Sequence, residues 1–320
     1  MNSSLEIAIS NLTSITVLIF FLGLLAGAIK SDVKIPEAIY QFIAIYLLFG
    51  IGLKGGVSLR ESNLLDTLLP ILATLALGVT IPILAYLVLG KVTNISTLDR
   101  GSLAAHYGST SLVTFTAALV YLDTNNIEYE GFATTLLTLM EVPGIVVGIF
   151  LAKRHIAPKT DWSESLKEIF LGKTLMLLVG GLFIGYVAGT EGYVRVEPFF
   201  VTMLPGVLAL FLLHLGYLAG ERWKSVLEVG KGLIAFGILF PLAMGTLGTT
   251  VGSLIGLSVG GSVILGILSA SASYIAAPAA VRVALPEANI SLPVTTSLVI
   301  TFPVNLLISI PLLTLFAQQF

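Results

Sequence analysis

Two short segments concentrate small hydroxyl residues beside helix breakers: His106-Tyr-Gly-Ser-Thr-Ser-Leu-Val-Thr-Phe115 and Leu268-Ser-Ala-Ser-Ala-Ser-Tyr-Ile-Ala-Ala-Pro278. Each lies near the middle of an apolar stretch. A helix broken there leaves N–H groups unpaired at the start of one half and carbonyls unpaired at the end of the other. Inside a bilayer only protein, water or a ligand can satisfy them. Half-helix N-termini favour small anions, whereas carbonyls and hydroxyls favour a hard cation such as sodium. Small residues also let spanning helices approach closely, so helix packing is the competing reading of either segment alone.

Glu141 lies well inside another apolar stretch, beside Pro143. A carboxylate at that depth is costly. It can ligate sodium, carry a proton, pair with a cation, or simply bond a neighbouring helix. Asn305 follows Pro303 in the last apolar stretch. His106 precedes the first serine cluster by about a turn and can line its site, whereas His214 reads as a packed histidine. The serines have no Gly-x-Ser-x-Gly elbow, and neither histidine has a visible carboxylate partner. That argues against a serine hydrolase, and the chain reads as a non-enzyme.

The elements that position these residues are membrane spans. The 320 residues are 56% hydrophobic and 11% charged, with a mean hydropathy of +1.00. Apolar runs of about 20 residues recur along the chain, which marks an all-α membrane protein rather than one soluble core. Ten spans are expected, at 14–30, 38–54, 67–90, 100–122, 131–153, 173–190, 199–219, 231–254, 260–284 and 293–317. The fourth and ninth are expected to be discontinuous. No basic region precedes the first apolar run and no small-residue cleavage site follows it, so no cleavable signal peptide is expected. The net charge of −2 gives no reason to expect nucleic acid. Zero cysteines exclude thiolate metal sites, disulfides and thiol catalysis.

Basic residues set the expected orientation. One set of alternate loops holds Lys30, Lys34, Lys91, Arg100, Lys153, Arg154, Lys159, Lys167, Lys173, Arg222, Lys224, Lys231 and Arg282; the other holds only Lys54, Arg60 and Arg195. The rich set faces the cytoplasm, so both termini face outward.

The two halves repeat. Gly52-Leu-Lys-Gly-Gly56 is echoed 164 residues later by Gly216-Tyr-Leu-Ala-Gly220, and Ser109 by Ser273 at the same offset. Asn126-Ile127, Thr134-Thr135 and Pro143 are echoed in order by Asn289-Ile290, Thr295-Thr296 and Pro303. Five spans per half is an odd number, so the second copy enters the membrane inverted. The expected units are a first repeat over 1–155, a cytoplasmic connecting loop over 156–172 and an inverted repeat over 173–320. Inverted repeats are characteristic of secondary transporters, whose sites lie near the midplane.

The chain resembles the sodium-dependent bicarbonate permease family, in its broader bacterial branch. The residues that carry the likeness are Ile35-Pro-Glu-Ala38, Gly50-Ile-Gly-Leu-Lys-Gly-Gly56, Ala105-His-Tyr-Gly-Ser109, Glu141-Val-Pro143, Ser271-Ala-Ser-Tyr-Ile-Ala-Ala-Pro278, Leu285-Pro-Glu-Ala-Asn289 and Thr301-Phe-Pro303. The middle loop is shorter than in cyanobacterial members, and Tyr274 stands where they have an acidic residue. The resemblance implies sodium-coupled bicarbonate uptake across a bacterial inner membrane, a 5+5 inverted-repeat fold, a homotrimer and a PII-like cytoplasmic regulator. Sodium is then a coupling ion, and no cofactor is expected. The expected substrate contacts are Gly108, Ser109, Thr110, Ser111, Ser271, Ala272, Ser273 and Tyr274. Sodium is expected at Thr114, Glu141, Ser269, Thr301 and Asn305. Another small anion, such as a short carboxylate, or a passive anion channel remains the alternative.

Overall fold

The computed structural model describes residues 13–154, 167 and 170–320, which are helical with no strand among them. Apart from Lys167 and residues 170–172, the expected connecting loop lies outside the described residues. In chain order the helices are α1 (Ile15–Ala28), α2 (Glu37–Glu61), α3 (Leu64–Val92), α4 (Thr97–Gly108), α5 (Leu112–Thr124) and α6 (Ala133–Lys153). The second half holds α7 (Lys173–Tyr193), α8 (Leu204–Glu221), α9 (Lys231–Leu254), α10 (Val259–Ala270), α11 (Ala277–Ala284) and α12 (Ser291–Ala317). Two π-helical stretches, Thr296–Thr301 and Asn305–Ser309, interrupt α12.

Of the ten expected spans, seven are single helices long and apolar enough to cross a bilayer: α2, α3, α6, α7, α8, α9 and α12. The other three positions hold shorter helices. α1 has 14 residues. The fourth expected span divides into α4 and α5, and the ninth into α10 and α11. The breaks have a local cause. Ser109 (φ −95°, ψ 161°) and Ser271 (φ −84°, ψ 165°) are extended residues that end α4 and α10. The Ser111 hydroxyl then accepts from the Thr114 N–H at 3.3 Å, and the Ser273 hydroxyl accepts from the Ala277 N–H at 3.1 Å. Serine in these positions offers the backbone a cap instead of a further helical turn.

One boundary corrects the charge assignment. α2 runs to Glu61 rather than ending near residue 54, so Lys54 and Arg60 belong to a helix, not to a loop. The Gly55-Gly56 pair does not end α2, because α2 packs there against α7 along its backbone. Lys54 Nζ reaches the Tyr129 hydroxyl at 3.4 Å. Arg60 donates to the carbonyls of Tyr186 and Val187. Arg100 likewise lies inside α4, over the Tyr86 ring at 4.9 Å.

Two helix crossings organise the rest. α1 packs on α8, and α2 packs on α7. Both crossings are Gly-x-x-x-Gly against Gly-x-x-x-Gly: Gly23 and Gly27 meet Gly216 and Gly220, while Gly52 and Gly56 meet Gly181 and Gly185. A Cβ on Gly27 would stand 2.1 Å from the Tyr217 carbonyl oxygen, and one on Gly56 2.0 Å from that of Leu182. Lipid tails are as apolar as leucine, so close backbone packing of this kind replaces the hydrophobic effect as the force between helices. α3 and α6 pack on α4, and α9 and α12 pack on α10. Gly144 of α6 seats against the end of α4, where a Cβ would fall 1.8 Å from the Gly108 carbonyl oxygen.

Candidate functional site

The two breaks meet. The Ser273 N–H donates to the His106 carbonyl at 2.8 Å, and the Ser111 N–H donates to the Ser271 hydroxyl at 3.1 Å. Ser271 in turn donates to the Leu268 carbonyl at 2.9 Å. Each break thereby satisfies polar backbone of the other. The half-helices also match in build. α4 and α10 each have 12 residues, and each is capped by a serine, Ser96 and Ser258. Asp99 near the start of α4 accepts from the Asn289 N–H at 2.7 Å, and Glu130 accepts from the Ser258 N–H at 2.6 Å before α10.

These roles correct the register read from the sequence. Ser109 and Ser271 end their helices; Ser111 caps the next helix directly, whereas Ser273 lies four residues before α11 and accepts from the Ala276 and Ala277 N–H groups at its start. As a helix-ending residue, Ser109 matches Ser271 rather than Ser273. The shift is two residues, and the serine-rich runs hid it because either alignment places a serine opposite a serine.

A cavity of ≈380 Å³ opens between the starts of α2 and α7 and descends past Tyr40 and Glu141 to Tyr274 and Ala276. Glu37, Gln41 and Lys173 are exposed at its mouth. It continues into a passage of ≈10 Å³ lined by Thr110, Ser111, Glu141, Thr174, Ser273 and Tyr274. Glu141, Thr174 and Tyr274 line both. The structure thus joins Thr110, Ser111, Glu141, Ser273 and Tyr274 at one blind end. Glu141 is buried, and no described residue engages its carboxyl group. Ser111 donates to the Tyr274 hydroxyl at 3.3 Å across the passage, and the Thr110 hydroxyl points to the Leu137 carbonyl at 3.4 Å. A cavity of ≈50 Å³ lies between the start of α1, the later part of α5 and the later part of α12.

The remaining candidates surround this end rather than line it. Ser109 is buried, and its hydroxyl has no partner among the described residues. Gly108 packs against Pro82 and Gly144. Ala272 and Thr114 are buried. Ser269 donates to the Leu265 carbonyl at 2.8 Å. Thr301 donates to the Gly237 carbonyl at 2.8 Å, so Tyr107, 2.6 Å away, must donate to Thr301. Asn305 donates to the Ala270 carbonyl and accepts from Ser309, both at 2.8 Å, which holds the end of α10. His106 Nδ1 lies 2.7 Å from the Ser102 carbonyl, which can only accept, so Nδ1 carries a proton; Nε2 has no partner among the described residues. His214 is buried with its ring 4.6 Å from that of Tyr40, and its Nδ1 has no hydrogen-bond partner among the described residues.

Sequence reasoning missed Tyr40, Gln41 and Thr174. They sit near helix starts, where a polar residue is ordinary, and only the fold brings them to the cavity that Glu141 lines. Tyr107 was legible only as part of a motif; its partner Thr301 is 194 residues away.

The model of the Na+-dependent bicarbonate transporter superfamily matches residues 16–318, nearly the whole chain. No curated protein matches it.

Proposed function

The chain belongs to the Na+-dependent bicarbonate transporter superfamily, and from that premise we propose that it takes up bicarbonate with sodium across the inner membrane by alternating access. The observation that carries this reading is the meeting of two broken helices at the blind end of a cavity that also holds Glu141. Bicarbonate is small, planar and singly charged, and it both donates and accepts hydrogen bonds. The hydroxyls of Thr110, Ser111, Ser273 and Tyr274 can hold it without an arginine. Glu141 and nearby hydroxyls offer sodium the oxygen ligands a hard cation prefers. Each ion improves the other's site, and that linkage is reciprocal. Ser269, Thr301 and Asn305 already bond protein groups, so we assign them to packing: Ser269 within α10, Thr301 between α12, α9 and α4, and Asn305 at the α10 end.

Alternating access needs two mated entrances, and the chain has features that support them. Ser14, Thr16 and Val17 of the small cavity and Gly172, Thr174 and Leu175 of the large one sit at the same spacing. Gly23 and Gly27 stand to Gly181 and Gly185 at that spacing too. In the proposed 5+5 inverted repeat, α1 on α8 and α7 on α2 are one crossing made twice. The large cavity is then the inward entrance and the small one its closed outward mate. Ten spans, a homotrimer, a PII-like partner and the division at 1–155 and 173–320 belong to the same proposal.

The deciding experiment is uptake of labelled bicarbonate into proteoliposomes. An inward sodium gradient should raise the initial rate several-fold over a sodium-free control. Equal rates would assign a passive channel, and loss of uptake to a competing short carboxylate would assign another anion. Orientation has its own test. A reporter active only in the periplasm should be active when fused after Phe320 and silent when inserted at Asp161; the reverse pattern would overturn the orientation.

A further inference from the structure

A second cavity lies outside the ion path. It is a groove of ≈710 Å³ between α3, α6 and α7, lined by Leu75, Leu139, Pro143, Met176, Val179 and Phe183. Met176, Val179 and Phe183 are exposed on a helix long and apolar enough to span a bilayer, so the groove opens toward hydrocarbon. Gly180 keeps it open, since a Cβ there would meet nothing within 4 Å. Its volume falls within the roughly 300–1,000 Å³ of pockets that hold ligands.

The groove has the depth of one leaflet. From Lys173, where α7 begins, to Phe183 the helix rises roughly 15 Å at about 1.5 Å per residue, half of a hydrocarbon core about 30 Å thick. Lys173 is exposed one turn before Met176, at the border between the groove and the mouth of the ion cavity. An ammonium there sits at headgroup level, where anionic lipid is attracted. We propose that this groove seats one acyl chain of an anionic phospholipid, with its phosphate at Lys173.

The seat has a consequence for the ion cavity. Val142 and Leu175 line both spaces. The acyl chain therefore packs on the outer side of the wall whose inner side carries Glu141, and it props α6 against α7. The inference needs only that α3, α6 and α7 lie in a bilayer, so it does not depend on which ion is carried.

The test uses the full chain in vesicles containing phosphatidylglycerol with a photoreactive group midway along one acyl chain. Adducts should concentrate on peptides containing Leu139–Pro143 and Met176–Phe183. Gly180→Trp fills the groove and should reduce them to background; Gly180→Leu serves if the tryptophan variant does not insert. Gly206→Trp, another glycine whose Cβ would meet nothing within 4 Å, should leave them unchanged. Lys173→Gln should lower labelling about fivefold for phosphatidylglycerol, the effect of one basic residue at the membrane surface, and leave a zwitterionic probe unaffected. Labelling spread evenly over the exposed Leu65–Leu72 face of α3, or indifferent to Gly180→Trp, would overturn the proposal. Cross-linked dimers of the chain in place of lipid adducts would give the groove to a second copy and overturn it equally.

Discussion

Ser273→Leu should abolish bicarbonate uptake in membranes that still hold the protein at its normal level. The passage at Ser273 encloses ≈10 Å³, which leaves no room for the extra carbons of leucine. The substitution also removes the acceptor for the Ala276 and Ala277 N–H groups. A lost cap costs about 1 kcal/mol, and overpacking about 1–3 kcal/mol, so the helices should still insert. Ser109→Leu should abolish uptake as well, because Ser109 is the buried residue that ends α4 beside the same crossing. Ser273→Thr keeps the capping oxygen and should retain measurable uptake. Ser269→Ala touches a hydroxyl already bonded to its own helix and should change uptake by less than about twofold, as a substitution away from the site does. Normal transport by both leucine variants would reduce the hydroxyl clusters to helix packing.

Glu141→Gln should raise the sodium concentration for half-maximal uptake about tenfold or more, the effect of losing roughly 1.4 kcal/mol of cation binding. Two unit charges about 4 Å apart interact by about 4 kcal/mol at an intermediate dielectric, so the loss of one charge can supply that change. Glutamine keeps the shape and one carbonyl oxygen, so the apparent bicarbonate affinity at saturating sodium should move less. A carboxyl that shuttles protons predicts a different result: unchanged sodium dependence and a flattened pH profile. If neither dependence moves, Glu141 is a structural group and the cation belongs among Thr110, Thr114 and Ser271.

The sequence exposed what is local. Serine runs beside Gly108 and Pro278 marked both breaks, and the depth of Glu141 marked it as exceptional. The structure brings these together at one cavity end. What the sequence could not expose depends on distance or register. Tyr107 reaches Thr301 and Tyr40 shares a cavity with Glu141 only through folding. The 164-residue offset holds at the α2 and α8 glycines, but the helix-ending serines are 162 residues apart. Loops between spans can gain or lose residues without cost to the spans, so one offset cannot run through a whole half. The continuation of α2 past Gly55-Gly56 was equally hidden, because those glycines look like a helix end until α7 is seen lying against them.

The large cavity also reshapes the membrane's electric field. Its mouth carries the exposed Glu37, Gln41 and Lys173, and it reaches Glu141 near the middle of α6. Were water to fill this recess, the membrane voltage would fall mainly across the layer of protein between Glu141 and the far face. A charge crossing that layer exchanges nearly the full ~2.3 kcal/mol per 100 mV over a fraction of the bilayer's thickness. In the proposed symport, a load of one sodium and one bicarbonate would be neutral there and draw nothing from the voltage, whereas a second sodium ion would couple uptake to it.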